Sequence, residues 1–279
     1  SDYYRERYGR SVEVICSIII MVSYLGWVSA QVTALGLVFN LLSDGVISMP
    51  LGMTIGVVSV LAYTLFGGMW SVAITTFVQM IVIVIGLLAV SWMAGDMAGG
   101  FDKVISSASA AGKFEFLPRL EWVDMIAWIA ALVTMALGSI PQQDVFARVN
   151  SSQNERVAIW GTTLGGISYF FFAAVPLFLA YSATMIDPDL VARYLGKDSQ
   201  LILPMFILEK MPFFMQVVFF GALLSVIMST ASGTLLAPSV TFSENILKSV
   251  VPHMSDKQFL WATKLTVACF AVIVTFYAI

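Results

Sequence analysis

The chain has 279 residues, 59% of them hydrophobic and 11% charged, with a mean hydropathy of +0.91. A soluble domain of this length could not hide that much apolar surface in one core, so composition alone places the chain in a membrane. A net charge of −3 offers no basic face for nucleic acid. Cys16 and Cys269 sit in apolar runs as small core residues and suggest neither a disulfide framework nor a metal site. His253, the only histidine, lies in a polar loop, too isolated for triad catalysis or zinc chemistry.

Seven apolar segments follow in chain order, at 12–42, 46–68, 71–95, 122–140, 157–185, 212–242 and 258–279. Each is long enough to span a bilayer, which predicts an all-α integral membrane fold. The first, fifth and sixth are long enough to tilt or to project beyond the bilayer. Phe66-Gly67-Gly68 predicts a tight turn, and polar stretches near 96–121 and 186–211 predict two longer loops. Within the second loop, Leu201–Lys210 reads as a short amphipathic piece lying along the surface. With the amino end inside, the inner loops hold Arg5, Arg7, Arg10, Arg148, Arg156, Lys248, Lys257 and Lys264. Lys103, Lys113, Arg119, Arg193, Lys197 and Lys210 then fall outside, mostly in the two long loops, which favours a cytoplasmic amino end. The charged opening run Asp2 to Arg10 and an end at Ile279 inside an apolar segment lead us to expect further helices on both sides.

The fourth segment ends in Leu137-Gly138-Ser139-Ile140-Pro141-Gln142-Gln143. Glycine and proline this close together cost a helix its backbone hydrogen bonds. At membrane depth such a break survives only when buried in protein or lining a cavity, where transporters commonly place their sites. The other outcome is that Pro141 merely ends the helix at the inner surface. Beyond the break, Arg148 and Arg156 flank Ser151 and Ser152, an arrangement that positive charge in an inner loop explains without a phosphate. Gly161 and Gly165 form a small-xxx-small pair suited to close helix packing.

From Met211 to Ser243 there is no charged side chain, yet Ser225, Ser229 and Ser232 share one helical stripe, with Thr230 beside it. Unpaired hydroxyls are costly at bilayer depth, so these either bond to their own backbone and to a neighbouring helix or hold a hard cation. Sodium takes neutral oxygens, and hydroxyls with a backbone carbonyl can bind it without a buried carboxylate.

Several of these pieces, in order, resemble the sodium:solute symporter family. They are Gly221–Ile246 (GALLSVIMSTASGTLLAPSVTFSENI), Ala136–Ser151 (ALGSIPQQDVFARVNS), Tyr63–Gln79 (YTLFGGMWSVAITTFVQ) and the opening YRERYGR. The resemblance implies a core of ten helices in two inverted five-helix repeats with alternating access to a central site. Residues 1–279 would be a single transmembrane domain holding the third to ninth core helices. It implies Na+ at the Val226 carbonyl and the Ser229 and Thr230 hydroxyls, completed by a core helix absent from this chain. Thr76 and Ala231 are neutral where many members carry acids, which speaks against a second sodium ion. Without Asp or Glu in the middle of any apolar segment, sodium is favoured over protons as the coupling ion.

Gly138-Ser139-Ile140-Pro141 and Asp256-Lys257 look closest to the choline-transporting branch. Trp27 matches one aromatic position of its cation cage, but Gln142 stands where another ring is expected, and a single ring holds a cation poorly. Gln142 and Gln143 suit instead the carboxylate or amide of a zwitterion, and Trp27 otherwise packs between helices. The expected activity is sodium-coupled symport of a small polar organic solute, choline-like, an amino acid or similar, bound near Trp27, Ser139, Gln142 and Gln143. The expected setting is a multi-pass protein of the cell membrane. The same helical domain also occurs fused to signalling kinases, so a solute-sensing membrane module is the alternative. An intramembrane enzyme lacks its parts, since no His/Glu pair, Gly-x-Ser-x-Gly elbow or paired aspartates lie at membrane depth.

Overall fold

The computed structural model describes residues 2–115, 117–139 and 142–279, and every regular element among them is helical. A short α1 (Asp2–Tyr8) meets α2 (Arg10–Leu42) at Gly9, whose φ of 85° is open to glycine and strained for other residues. α3 (Met49–Met97) joins two spans, Met49–Gly68 and Trp70–Met97, at Gly68 with φ 54° and ψ −146°. This is the turn expected at Phe66-Gly67-Gly68.

The first long loop carries α4 (Phe101–Ala110), which buries Val104 and Ala108 on one face. α5 (Trp122–Ser139) and α6 (Gln143–Asn150) are bent by 41° about the break between them. α7 (Glu155–Phe172) and α8 (Ala174–Ile186) form one long span interrupted at Ala173. Pro176 explains the interruption, because it has no N–H for the Phe172 carbonyl and its ring crowds that oxygen. After α9 (Pro188–Leu195) and α10 (Ile202–Lys210) comes α11 (Phe213–Phe242). α11 leads through a π-turn at Ser243–Leu247 into α12 (Lys248–Val250). α13 (Asp256–Ala278) starts with a capping box between Ser255 and Gln258. Among the described residues six helices are long and apolar enough to cross a membrane, or seven with the bent pair α5 and α6 counted as one span.

Two local expectations are corrected. α10 is not an amphipathic surface helix: adjacent Phe206 and Ile207 are both fully buried, as is Leu190 of α9, so it is tucked into the loop. A Cβ added at Gly161 or Gly165 would meet nothing within 4 Å, so among the described residues no helix packs on this pair.

The chain divides into two compact units, Ser1–Val82 with Leu223–Ile279, and Ile83–Ala222. In the first, α2 packs on α13 and on the first half of α3. Its core includes Val28, Val32, Leu35, Val60, Val72, Leu235, Val267 and Val274. Small residues bring the backbones together: a Cβ at Gly52 would lie 3.0 Å from the Gly36 carbonyl oxygen.

In the second unit, Asp187 caps α9 by accepting from the Leu190 N–H at 2.9 Å, and Lys210 Nζ lies 2.6 Å from its other oxygen. The Lys210 hydrogen bond, then that of Leu190, holds the Asp187 carboxyl below its ordinary 3.8, and the Asp187 bond raises Lys210 above 10.5. Stability from Asp187 is therefore complete above its ordinary value and is lost as pH falls through the depressed one. Lys210 contributes fully below its ordinary value and loses this as pH rises through the raised one. Lys210→Met is expected to speed amide exchange over 187–210 at pH 7. Correcting for intrinsic exchange, wild type should approach the variant as pH falls below 3.8 and through the depressed value. Equal exchange at pH 7 would show that this exposed pair holds nothing, as many surface pairs do.

Candidate functional site

Val226, Ser229 and Thr230 fall at i, i+3 and i+4 of α11, one face of a continuous helix. Burial is graded around that helix. Ser232 and Ala231 are buried in the first unit, Ser229 and Thr230 are half-buried, and Val226 is 38% exposed. The three lie where the buried side gives way to the open one.

Their hydrogen bonds divide the hydroxyls into two groups. Ser232 Oγ donates to the Ser229 carbonyl at 3.0 Å, and Thr234 Oγ1 donates to the Thr230 carbonyl at 2.7 Å. These two follow the ordinary pattern of membrane hydroxyls bonding to their own backbone. Ser229 does not: its Oγ donates to Thr76 Oγ1 on α3 at 3.2 Å. At the adjacent residue, the Tyr63 hydroxyl donates to the Met228 carbonyl at 2.8 Å. Among the described residues the Thr230 hydroxyl has no hydrogen-bond partner.

The consequence is chemical. With its proton committed to Thr76, Ser229 Oγ keeps lone pairs for a cation. Val226 is not at a helix break, so its carbonyl is not freed as an unwound segment would free it, but a carbonyl has a second lone pair beyond the helical bond. The set is neutral and all oxygen, which suits a hard monovalent cation. Three oxygens fall short of the roughly six that a hard cation takes, so the site needs further ligands. Among the described residues no group of three or more His, Cys, Asp or Glu is placed to hold a metal.

The expected solute residues belong to different units, Trp27 to the first and Ser139, Gln142 and Gln143 to the second. Trp27 projects from α2, exposed and with no ring stacked on it among the described residues. Gln142 precedes α6 with extended backbone, and Gln143 begins it; both are half-buried, in the second unit. The Gln142 side chain caps no helix. Ser139 ends α5. Its side chain, together with all of Ile140 and Pro141, lies outside the described residues. α5 ends at Ser139 and α6 begins at Gln143, with a 41° bend between their axes. Past it, Arg148 and Arg156 are exposed and Ser151 Oγ bonds to the Ala147 carbonyl.

Sequence reasoning missed the partners. Thr76 was singled out only for lacking a charge, and Tyr63 only as part of a motif, and nothing in a helical pattern shows that both reach α11. Glu13 was missed altogether. An acid in the first turn of a helix usually meets water, yet Glu13 is 1% exposed.

Apolar helices long enough to span a membrane, a bent helix pair and an oxygen stripe on an uncharged helix are features from which membrane transporters build their sites. The family model for the sodium:solute symporter family matches residues 1–279 in full, and the chain belongs to that family. Its members are transporters rather than enzymes, and the chain is accordingly a multi-pass protein of the cell membrane. Among curated relatives it is 25% identical to the human high affinity choline transporter 1, over 100% of this chain and 49% of that protein. It is also 25% identical to the uncharacterized symporter YhjB of Bacillus subtilis, over 99% of this chain and 56% of that protein. The chain thus spans about half the length of the curated relatives it matches. A solved structure of a substrate-bound, outward-open Na+-coupled sialic acid symporter superposes with a TM-score of 0.81. It shares 22% identity and covers 99% of this chain and 60% of that one, a likeness of fold.

Proposed function

We propose that the chain is the third-to-ninth-helix part of a ten-helix core that carries a small polar organic solute together with Na+. Sodium is cargo, held by the Val226 carbonyl and the Ser229 and Thr230 hydroxyls and completed by oxygens from a helix outside this chain. The solute binds at the broken helix, where Gln142 and Gln143 hydrogen-bond its polar group. Ser139 at the end of α5 and Trp27 are the remaining candidate contacts. Choline is one candidate solute, in line with the choline-transporter relatives. A single ring at Trp27 with an amide at Gln142 makes a weak cage for a quaternary ammonium, so zwitterions are equally suited.

In this reading sodium stabilises the outward-open state, and the bundle then rocks to release both cargoes inside. Linkage makes the coupling reciprocal: whatever factor sodium adds to solute affinity, solute adds to sodium affinity. The gradient of one thereby drives the other.

The observation that carries the proposal is the pair Ser229 and Thr230, whose hydroxyl lone pairs lie at the open edge of an uncharged membrane helix. The test is the melting temperature of the purified chain in sodium and in potassium at equal ionic strength. Sodium at 100 times its dissociation constant would add about 2.7 kcal/mol to the folded state. A sodium-specific rise that vanishes in Thr230→Ala is expected. A rise that persists in Thr230→Ala and Ser229→Ala would place the ion elsewhere.

A further inference from the structure

The inner end of α11 is pinned by a buried carboxylate that plays no part in the site above. Glu13, in the first turn of α2, is 1% exposed, and its Oε1 accepts from Asn245 Nδ2 at 2.7 Å. Asn245 is itself 6% exposed and lies within the π-turn that ends α11. The other carboxylate oxygen has no hydrogen bond but faces Arg5 Nε of α1 at 3.7 Å. Nearby, Arg10 Nη2 donates to the Ser249 carbonyl at 3.1 Å, and Ser249 Oγ donates back to the Asn245 carbonyl at 3.1 Å. Thus α1, α2 and the end of α11 are fastened through one buried acid.

Such an acid is not what stability alone favours. Burying a carboxylate costs more than an apolar residue of similar size, unless its geometry and partners compensate. Here it has one close donor and one distant cation. A π-turn is similarly uncommon inside a helix and occurs often at functional sites. Asn245 in the turn lies about 24 Å along the helix from Ser229, taking 1.5 Å per residue. Between them Pro238 removes the N–H that would have bonded the Thr234 carbonyl. Residues 231–239 are buried on all sides, but Pro238 weakens the helix there and the π-turn re-phases it, so ties on the two flanks bear on its rotation. The upper flank is held by Thr76 and Tyr63. The lower one is held by Glu13.

We infer that Glu13, through its bond to Asn245, is a positioning residue that sets the rotation of α11 and so the presentation of the Ser229 and Thr230 oxygens to sodium. This rests on the sodium assignment above, and the test separates the two. Half-saturating sodium is read from melting temperatures in sodium–potassium mixtures, and amide exchange of 226–232 and 243–247 is read in potassium alone. The variants are Glu13→Ala, Asn245→Ala and the reversed pair Glu13→Gln/Asn245→Asp, in which the amide would donate from α2 to a carboxylate on α11.

Each alanine variant should raise half-saturating sodium about tenfold, equivalent to about 1.4 kcal/mol, and speed exchange in both segments. The reversed pair should restore both readouts to within about threefold of wild type. Unchanged sodium half-saturation with faster exchange at 243–247 only would overturn the inference and leave Glu13 an anchor. So would a reversed pair no better than the alanine variants. If wild type shows no sodium-specific shift, the sodium assignment fails and exchange at 226–232 decides alone: acceleration reversed by the exchanged pair supports positioning, and no change refutes it. Should Glu13→Ala not fold, Glu13→Gln keeps an acceptor for Asn245 but removes the charge facing Arg5. It is expected to shift half-saturating sodium about threefold, and no shift there would count against the inference.

Discussion

Gly36→Ala and Gly56→Ala each lower the melting temperature of the chain, whereas Gly221→Ala raises it. All three are helical glycines, and propensity alone would reward each replacement by up to about 1 kcal/mol. Packing reverses the sign at two of them. A Cβ at Gly56 would lie 2.7 Å from Leu35 Cδ1 and 2.8 Å from Leu35 Cβ, and Leu35 is fully buried. One at Gly36 would lie 2.9 Å from the Met49 carbonyl oxygen, a backbone atom that moves only if α3 does. Overpacking of this kind costs about 1–3 kcal/mol, more than propensity returns. At Gly221 a Cβ would meet nothing within 4 Å, so the propensity gain is kept. Equal shifts at all three would mean that α2 and α3 are not in contact as described.

The hydroxyl series on α11 should rank by position rather than by polarity. Thr230→Ser keeps the oxygen and should leave half-saturating sodium within about threefold of wild type. Thr230→Val keeps the shape and removes the oxygen. A lost hydrogen bond to a charged group is worth about 1.5–3 kcal/mol, which corresponds to a loss of roughly 10- to 150-fold. Ser229→Ala should fall in the same range. Thr76→Ala leaves the Ser229 oxygen in place but frees its proton to turn toward the ion, and should weaken sodium less than either. Ser232→Ala should have little effect, because its hydroxyl bonds to the Ser229 carbonyl away from the open edge. Titration of each variant by melting temperature in sodium against potassium reads the series. A Ser232→Ala loss equal to that of Thr230→Val would move the ion inward from Thr230.

Legibility differed from residue to residue for physical reasons. The spans were readable because a run such as Met211 to Ser243 has no charge to keep it in water, and the 41° bend between α5 and α6 falls at the stretch whose sequence holds Gly138 and Pro141. The interruption at Ala173 was equally available, since Pro176 lies four residues after Phe172, but its long apolar setting concealed it. Leu201–Lys210 misled because it sits in a polar loop and reads as an amphipathic piece lying along the surface, whereas Phe206 and Ile207 are both fully buried. Gly161 and Gly165 misled in the opposite direction, since spacing shows that a helix can be approached closely but not that anything approaches.

What the sequence determined by itself is the class of the molecule: hydropathy, span lengths and helix breaks follow from the local cost of polar groups in lipid and need no partner to be evaluated. It also placed Ser229 and Thr230 on one face of α11, because helical phase is local. Tertiary structure alone decided which hydroxyls are free. Ser229 bonds to Thr76 across 153 residues, Tyr63 reaches Met228 across 165, and Asn245 reaches Glu13 across 232. Hydrogen bonding saturates: a proton given to one acceptor is withheld from every other. The same serine is therefore packing or ligand according to a neighbour far along the chain, and only the folded arrangement supplies that neighbour.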